Sequence, residues 1–477
     1  MEREATSSSQ AQARPTSLRS TRCGHALLLG LSAWTLGLAI HLTDGLYSGG
    51  GAALLALALG FCVAGVLGRQ IALSDRAMRN LLLALLITQL LAMLLRPAGA
   101  SAATAPLTDQ RPFDAAIFVA LGAIAAIGLA HRRSIVVAAF ALLLATHAAI
   151  GVWKIRTAPQ PRIDVFIFHT HAIDALVRGV NPYSITFPNI YEPQTWTYAP
   201  GIVRDGRLQF GFPYPPIVLL YTAPAQLLAG DFRYAYLLAM LMGGVLVAAI
   251  GRFTRSALLL AAVLLFTPRT FYVLEMGWTE PLSAMLLAAT VLTALRWPRL
   301  APVALGLVVA SKQYLPLALL GLALMYRPSA PWRRVMRDLL LAMLVGGAVT
   351  LPLALWEPAG FWRSAVTLQL HQPYRADSLS LLAWWGSTRP GWIGPVWPAF
   401  ALAGGAVLAA MLRCGRGPGA FAAGVALVLF VFFAFNKQAF ANYYYLVIAG
   451  LCISIAGDEW PDAGEPESLN PGQSAGR

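Results

Sequence analysis

The chain has 477 residues, of which 58% are hydrophobic and 12% charged, with a formal net charge of +14 and a mean hydropathy of +0.63. A soluble chain carries about 25% charged residues. Here apolar runs of about 17 residues or more recur from residue 25 to residue 456, each approaching the ~20 residues that cross a bilayer. This excludes a soluble enzyme, a disordered chain and a single-anchor protein, and indicates an all-α polytopic membrane protein. The basic residues sit in short loops between apolar runs, the positive-inside pattern, so the charge does not imply nucleic-acid binding. Three of the 35 basic residues are lysine, namely Lys154, Lys312 and Lys437, and the rest are arginine. With abundant Ala and Gly, that bias points to a GC-rich, bacterial genome and hence to the plasma (inner) membrane.

Residues 1–24 read as a cytosolic tail without a cleavage site behind a short apolar core. Five transmembrane helices follow within 25–153, at about 25–43, 52–69, 80–95, 113–131 and 135–153. The loops with Arg69, Arg76 and Arg79 and with Arg132 and Arg133 fall on the same side as the tail's Arg14, Arg19 and Arg22, which places that side in the cytosol. Residues 154–233 then form a long outer loop with in-plane helices. Residues 234–456 form a C-terminal transmembrane region, with spans expected at about 234–251, 256–274, 281–295, 338–356, 392–412, 418–436 and 440–456 and a further apolar stretch at 301–326. An acidic cytosolic tail, 457–477, ends the chain, for about 12–14 transmembrane helices in all. The four cysteines, Cys23, Cys62, Cys414 and Cys452, imply neither a disulfide framework nor a metal site.

Two segments test this topology. Residues 213–230 look like a span by hydropathy, yet a crossing there would put Arg252, Arg255, Arg296, Arg299, Arg327, Arg333, Arg334, Arg337, Arg413 and Arg416 outside. An in-plane helix keeps all ten inside, and Pro215, Pro216 and Pro224 also suit it better than a span. Residues 301–326 carry arginines at both ends, which predicts a re-entrant hairpin with Lys312 near its tip; one long span is the alternative.

The outer loop opens with a stretch, 163–183, in which Asp164, His171, Asp174 and Arg178 share one helical arc and Val165, Phe166, Ile173, Leu176 and Val177 the other. Gly179 and Pro182 end it. Asp174 and Arg178 are spaced to pair at i,i+4, and Asp164 at the helix start also reads as a cap. His169 and His171 point about 200° apart on a helix, which argues against a shared metal.

Asp164 opening an in-plane helix, then Gly179 to Tyr183 as GxxPY, a polar stretch, Tyr214 to Pro216 as YPP and an amphipathic run together resemble the GT-C class of membrane glycosyltransferases. The chain most resembles glycosyltransferase family 87, the polyprenyl-phosphate-mannose-dependent mannosyltransferases. The turn at 275–281, the Gly-rich stretch 304–316 ending near Lys312 and the polar patch 436–447 follow in the family's order, although the turn lacks the family's Gln. The resemblance covers about 150–456 and leaves out the first four spans.

The resemblance implies a GT-C-like fold and transfer of a sugar, mannose in the family, from a polyprenyl-phosphate donor to a glycolipid or glycan acceptor at the outer face. The displacement inverts the anomeric centre. Asp164 is then the general base, and Lys312 with Lys437 the donor-phosphate site. Substrate-binding candidates are His171, Asn181, Tyr183, Tyr214, Glu275, Trp278, Glu280, Gln313, His371, Gln372 and Arg375. No cofactor beyond the lipid-linked donor is expected, no residues are assigned to a metal, and a need for a divalent ion is left open.

Other readings of the same residues are solvation for Glu275, Glu280 and the loop around His371, Tyr374 and Asp377, snorkelling for the lysines, an interfacial anchor for Lys154 and an aromatic belt for Tyr443, Tyr444 and Tyr445. A secondary transporter or lipid flippase is the rival function, but the chain lacks visible internal repeats and its ionisable residues gather at one face. A non-catalytic scaffold is the other rival.

Overall fold

The computed structural model describes residues 26–68, 73–96, 109–191, 197–199, 201–389 and 391–458. The expected N-terminal tail, Arg69 and nearly all of the acidic tail lie outside the described residues.

Helices α1 (Ala26–Thr43), α2 (Gly49–Leu67), α3 (Asp75–Leu95), α4 (Arg111–Leu129) and α5 (Arg133–Thr157) come first. Ser48 and Ser74 cap α2 and α3 by accepting the N–H groups of Gly51 and Ala77. The loop then holds α6 (Asp164–Val177), which stops where Gly179 turns left-handed at φ 73°. Three two-residue strands follow, β1 (Phe187–Pro188), β2 (Val203–Arg204) and β3 (Arg207–Leu208), paired antiparallel in the order β1-β3-β2. They are a small sheet in an otherwise helical chain.

Next come α7 (Pro216–Ala229), α8 (Arg233–Ile250), α9 (Arg255–Leu265), α10 (Thr270–Glu275), α11 (Glu280–Arg296), α12 (Ala301–Val309) and α13 (Leu317–Leu320). A 3-10 turn at Leu322–Met325 leads to α14 (Trp332–Trp356), α15 (Pro358–Phe361), a π-helical stretch Trp362–Thr367 and α16 (Leu368–His371). The chain ends with α17 (Leu381–Ser387), α18 (Trp397–Arg413), α19 (Pro418–Ala434) and α20 (Ala441–Gly457). Helix α20 is buried along its whole length and packs on α1, α8, α9, α11 and α19, so it is the axis of the bundle.

Among the described residues, seven helices, α1 to α5, α8 and α14, are long and apolar enough to cross a membrane. Helices α18, α19 and α20 are apolar but have 17 residues each, and α9 has 11. The expected single span at 256–274 is in fact two helices. Pro268 lacks a backbone N–H to continue α9, and Arg269 takes a left-handed φ of 73° before α10. Among the cysteines of the described residues, Cys62 and Cys452 are free and buried.

Helix α7 leaves α6 and returns to it. The Tyr214 ring before it and the Phe232 ring after it lie 5.8 Å and 4.4 Å from the ring of His169 on α6. The segments before and after α7 thus both reach the same side chain of α6. The stretch 301–326 is a hairpin. Gly306 packs against Ala342 and Val345, and Ala310 reaches Gly346, while Tyr326 donates to Asp338 at 2.7 Å. Its two ends therefore lie beside the first turns of α14 and its tip, with Lys312, about halfway up that helix.

The first two helices do more than fill space. Their connecting turn is clamped to the last large loop: Tyr47 N–H donates to Asp377 O at 2.8 Å, Leu379 N–H to Gly45 O at 3.3 Å, and Leu46 bridges Ser378. Gly45 has φ 78°, and a Cβ there would stand 2.4 Å from the backbone nitrogen of Ala441 at the start of α20. Gly45→Val is therefore expected to destabilise the protein by about 2–3 kcal/mol, from left-handed strain plus forced separation of two backbones. Thermal unfolding in detergent, against the wild type, is the measurement.

Candidate functional site

One cavity of about 940 Å³ gathers most of the chemistry the sequence points to. Asp164, Tyr214, Trp278, Lys312, Gln313, Gln372, Arg375 and Lys437 all line it. Asp164 enters from the first residue of α6, Lys312 from the hairpin tip, Arg375 from the loop after α16, and Lys437 from the turn between α19 and α20. The polar patch at 436–443 adds Asn436, Gln438, Asn442 and Tyr443. Leu317, Leu320, Leu370, Val396, Phe400 and Phe432 add an apolar share to its walls. Several of these side chains, Leu320, Leu370 and Phe400 among them, are exposed.

Asp164 is held at three points. Its Oδ2 accepts from the Tyr198 hydroxyl at 2.7 Å, its Oδ1 accepts from Val165 N–H at 2.8 Å, and its own N–H donates to the Tyr191 hydroxyl at 3.2 Å. Ile163, not Asp164, occupies the cap position, so the carboxylate belongs to the first helical residue. Desolvation raises the Asp164 pKa above its ordinary 3.8, opposed in decreasing order by the hydrogen bonds from Tyr198 and Val165 and by the charge of Arg375. Burial and the neighbouring Asp164 charge push the Tyr198 and Tyr191 hydroxyls far upward, so both stay protonated as donors or acceptors.

Lys312 sits 2.8 Å from Glu280 Oε1 and donates to Thr279 Oγ1 at 2.6 Å, with its ammonium 4.7 Å from the centre of the Tyr214 ring. Gln313 donates to Pro213 O at 2.6 Å, as Gln369 does at 3.3 Å, so the two carboxamides pin the YPP segment beneath the cavity. Arg375 grips Asp377 with Nε and Nη2, each at 2.7 Å, and its guanidinium lies over the Phe440 ring. Lys437 donates to Leu370 O at 2.9 Å. Asp44, from the α1–α2 turn, lines the cavity while paired with Arg269 and Arg96 at 2.6 and 3.2 Å.

Other expected site residues lie elsewhere. Glu275 and Glu280 do not solvate a turn or face the cavity. Both are fully buried, Glu275 3.0 Å from Lys154 and Glu280 on Lys312 and on Tyr314. Lys154 is thus half of a buried ion pair and not an interfacial anchor. Asn181 and Tyr183 are structural: Asn181 accepts from Tyr183 N–H and donates to Leu353 O, and the Tyr183 hydroxyl donates to Tyr214 O. They do fix Tyr214, but from behind. His171 lies outside the cavity lining, against Phe187, and His371 is exposed and bonded to Thr367 O. Tyr443 lines the cavity beside Tyr314, and Tyr444 and Tyr445 are buried, so the three tyrosines form no exposed belt.

His169 and His171 diverge as their spacing requires, the first buried between Val165 O and Tyr236. Asp174 pairs with Arg178 on the exposed face. No group of three or more metal-ligating side chains occurs among the described residues. Tyr198, Tyr191, Asp44 and Asn442 are cavity residues that the sequence does not single out. Only the clustering of tyrosines at 191–198 and the polar run after α19 hint at them.

No protein-family model matches the chain, and no curated protein and no solved structure is similar to it.

Proposed function

We propose that this protein is a GT-C-class glycosyltransferase, similar to family 87, that moves a sugar from a polyprenyl phosphate to a hydroxyl of a glycolipid or glycan. The observation that carries the reading is a single cavity with two characters. Part of its lining is apolar, with exposed leucines and phenylalanines among it, as an isoprenoid tail needs. The rest joins the carboxylates of Asp164 and Asp44 to several cations, an indole and the carboxamides of Gln313, Gln372, Asn436 and Asn442, groups that suit a phosphate and a sugar.

On this reading Asp164 takes the proton of the acceptor hydroxyl as that oxygen attacks the anomeric carbon. The bond from that carbon to the phosphate oxygen breaks from the opposite side, the configuration inverts, and polyprenyl phosphate leaves. Cations near the phosphate stabilise its growing charge. A base with a raised pKa suits proton abstraction near neutrality. The arginine distribution supports a site at the outer face of a bacterial plasma membrane with both termini in the cytosol. The bilayer and the lipid donor are the partners this implies.

The reading is tested with the full chain in proteoliposomes and labelled polyprenyl-phosphate mannose or glucose plus a membrane-lipid acceptor fraction. Transfer of label to acceptor is the expected result. Movement of intact labelled lipid across the bilayer without transfer would favour a flippase. The acid limb of the kcat/KM profile should lie above the ordinary aspartate range. Removing the Tyr198 hydroxyl withdraws a bond that favours the ionised form, so Tyr198→Phe should move that limb to still higher pH. A limb that stays put would disconnect Tyr198 from the base.

A further inference from the structure

The cavity's cations are not equivalent. An ammonium has three N–H donors. At Lys312, Thr279 and Glu280 take two, and the face of Tyr214 meets the amine from a third side. Glu280 is buried, so the pair cancels its charge locally, and pulling Lys312 toward a ligand would strand a carboxylate away from water. Arg375 is matched by the fork of Asp377. Lys437 differs from both. Its amine donates to a neutral carbonyl, that of Leu370, and no carboxylate lies within ion-pair distance of it among the described residues. Two donors and a whole charge remain in a side chain only 8% exposed, on the cavity wall.

The surroundings of Lys437 are built to hold it. Its carbonyl accepts Arg375 N–H at 2.8 Å, and the loop of Arg375 is itself clamped by the α1–α2 turn. Five residues on, Asn442 lines the same cavity, is 4% exposed and has an Oδ1 with no hydrogen-bond partner. A buried acceptor left open on the same cavity as an uncancelled cation fits a ligand that carries both an anion and a hydroxyl donor.

Resting on the functional reading above, we infer that Lys437 binds the phosphate of the lipid-linked donor, with Asn442 accepting from the attached sugar, and that Lys312 is a positioning residue. Lys312 keeps Glu280, Tyr214 and the hairpin tip in register and does not touch the phosphate. The role of the α1–α2 turn then follows: it braces the loop that fixes the phosphate-binding lysine.

Binding of farnesyl phosphate to the full chain in nanodiscs, with farnesol as the uncharged control, separates the two lysines. Lys437→Met should weaken farnesyl phosphate by about 10-fold or more, the loss of a charge-assisted contact, and leave farnesol unchanged. Lys312→Met combined with Glu280→Gln removes both charges together and strands neither. It should keep farnesyl phosphate affinity within about 3-fold. Unchanged affinity in Lys437→Met overturns the assignment, as does a 10-fold loss in the paired variant. A wild type that binds farnesol and farnesyl phosphate equally would show no phosphate site at all, and the functional reading would fall together with this one.

Discussion

Asp164→Asn is expected to lower the rate of sugar transfer by about 10²–10⁴-fold, the usual cost of losing a general base, with little change in thermal stability. The carboxamide is close to isosteric. Its oxygen can still accept from Tyr198 or Val165, and losing a carboxylate at a helix N-terminus costs only about 0.3–1 kcal/mol. Structural and catalytic roles therefore separate in one variant, read by initial rate and by unfolding temperature. The other acids are poor substitutes. Asp174 is exposed and paired with Arg178, Glu275 and Glu280 are buried against lysines, and Asp44 is shared by two arginines. Turnover in Asp164→Asn within a few-fold of wild type would thus leave the cavity without a base, and the transfer reaction would lose its basis.

The parts of this architecture legible in the sequence are those encoded locally. Asp164 and Gly179 bracket α6 because an acid favours a helix start and a glycine its left-handed exit. The hairpin at 301–326 announces itself by arginines at both ends and a lysine in the middle. The polar run after α19 stands out against apolar flanks and does line the cavity.

What the sequence hid are pairings between distant segments. Tyr198 has no local mark that it will meet Asp164, and the α1–α2 turn gives no sign that it will brace Asp377. Hydropathy also merged α9 and α10 into one span, since it sees a Pro–Arg break as two residues in an apolar run. Lysines posed the hardest choice. One residue at the end of an apolar stretch fits snorkelling, an ion pair or a ligand contact equally, and only the partner decides. The partner proves different each time: Glu275 for Lys154, Glu280 for Lys312, and a backbone carbonyl for Lys437.

The pair between Lys154 and Glu275 carries the second large effect. Lys154 lies in the last turn of α5 and Glu275 ends α10, and their charged atoms meet at 3.0 Å with side chains 6% and 0% exposed. The backbone nearby is tied as well, since Arg233 donates to the carbonyls of Ile155 and Glu275. Breaking such a pair from one side leaves a buried charge uncompensated, at a cost of about 3–5 kcal/mol, whereas apolar replacement of both partners is often close to neutral. Lys154→Met and Glu275→Leu should therefore each lower the unfolding temperature sharply, and the double variant should recover most of the loss. Neither residue lines the cavity, so the double variant should transfer sugar at a rate near the wild type. Additive destabilisation in the double variant would mean that the two charges do not compensate each other. A double variant that is stable but inactive would return Glu275 to the substrate site, where its place in the turn beside Trp278 first suggested it.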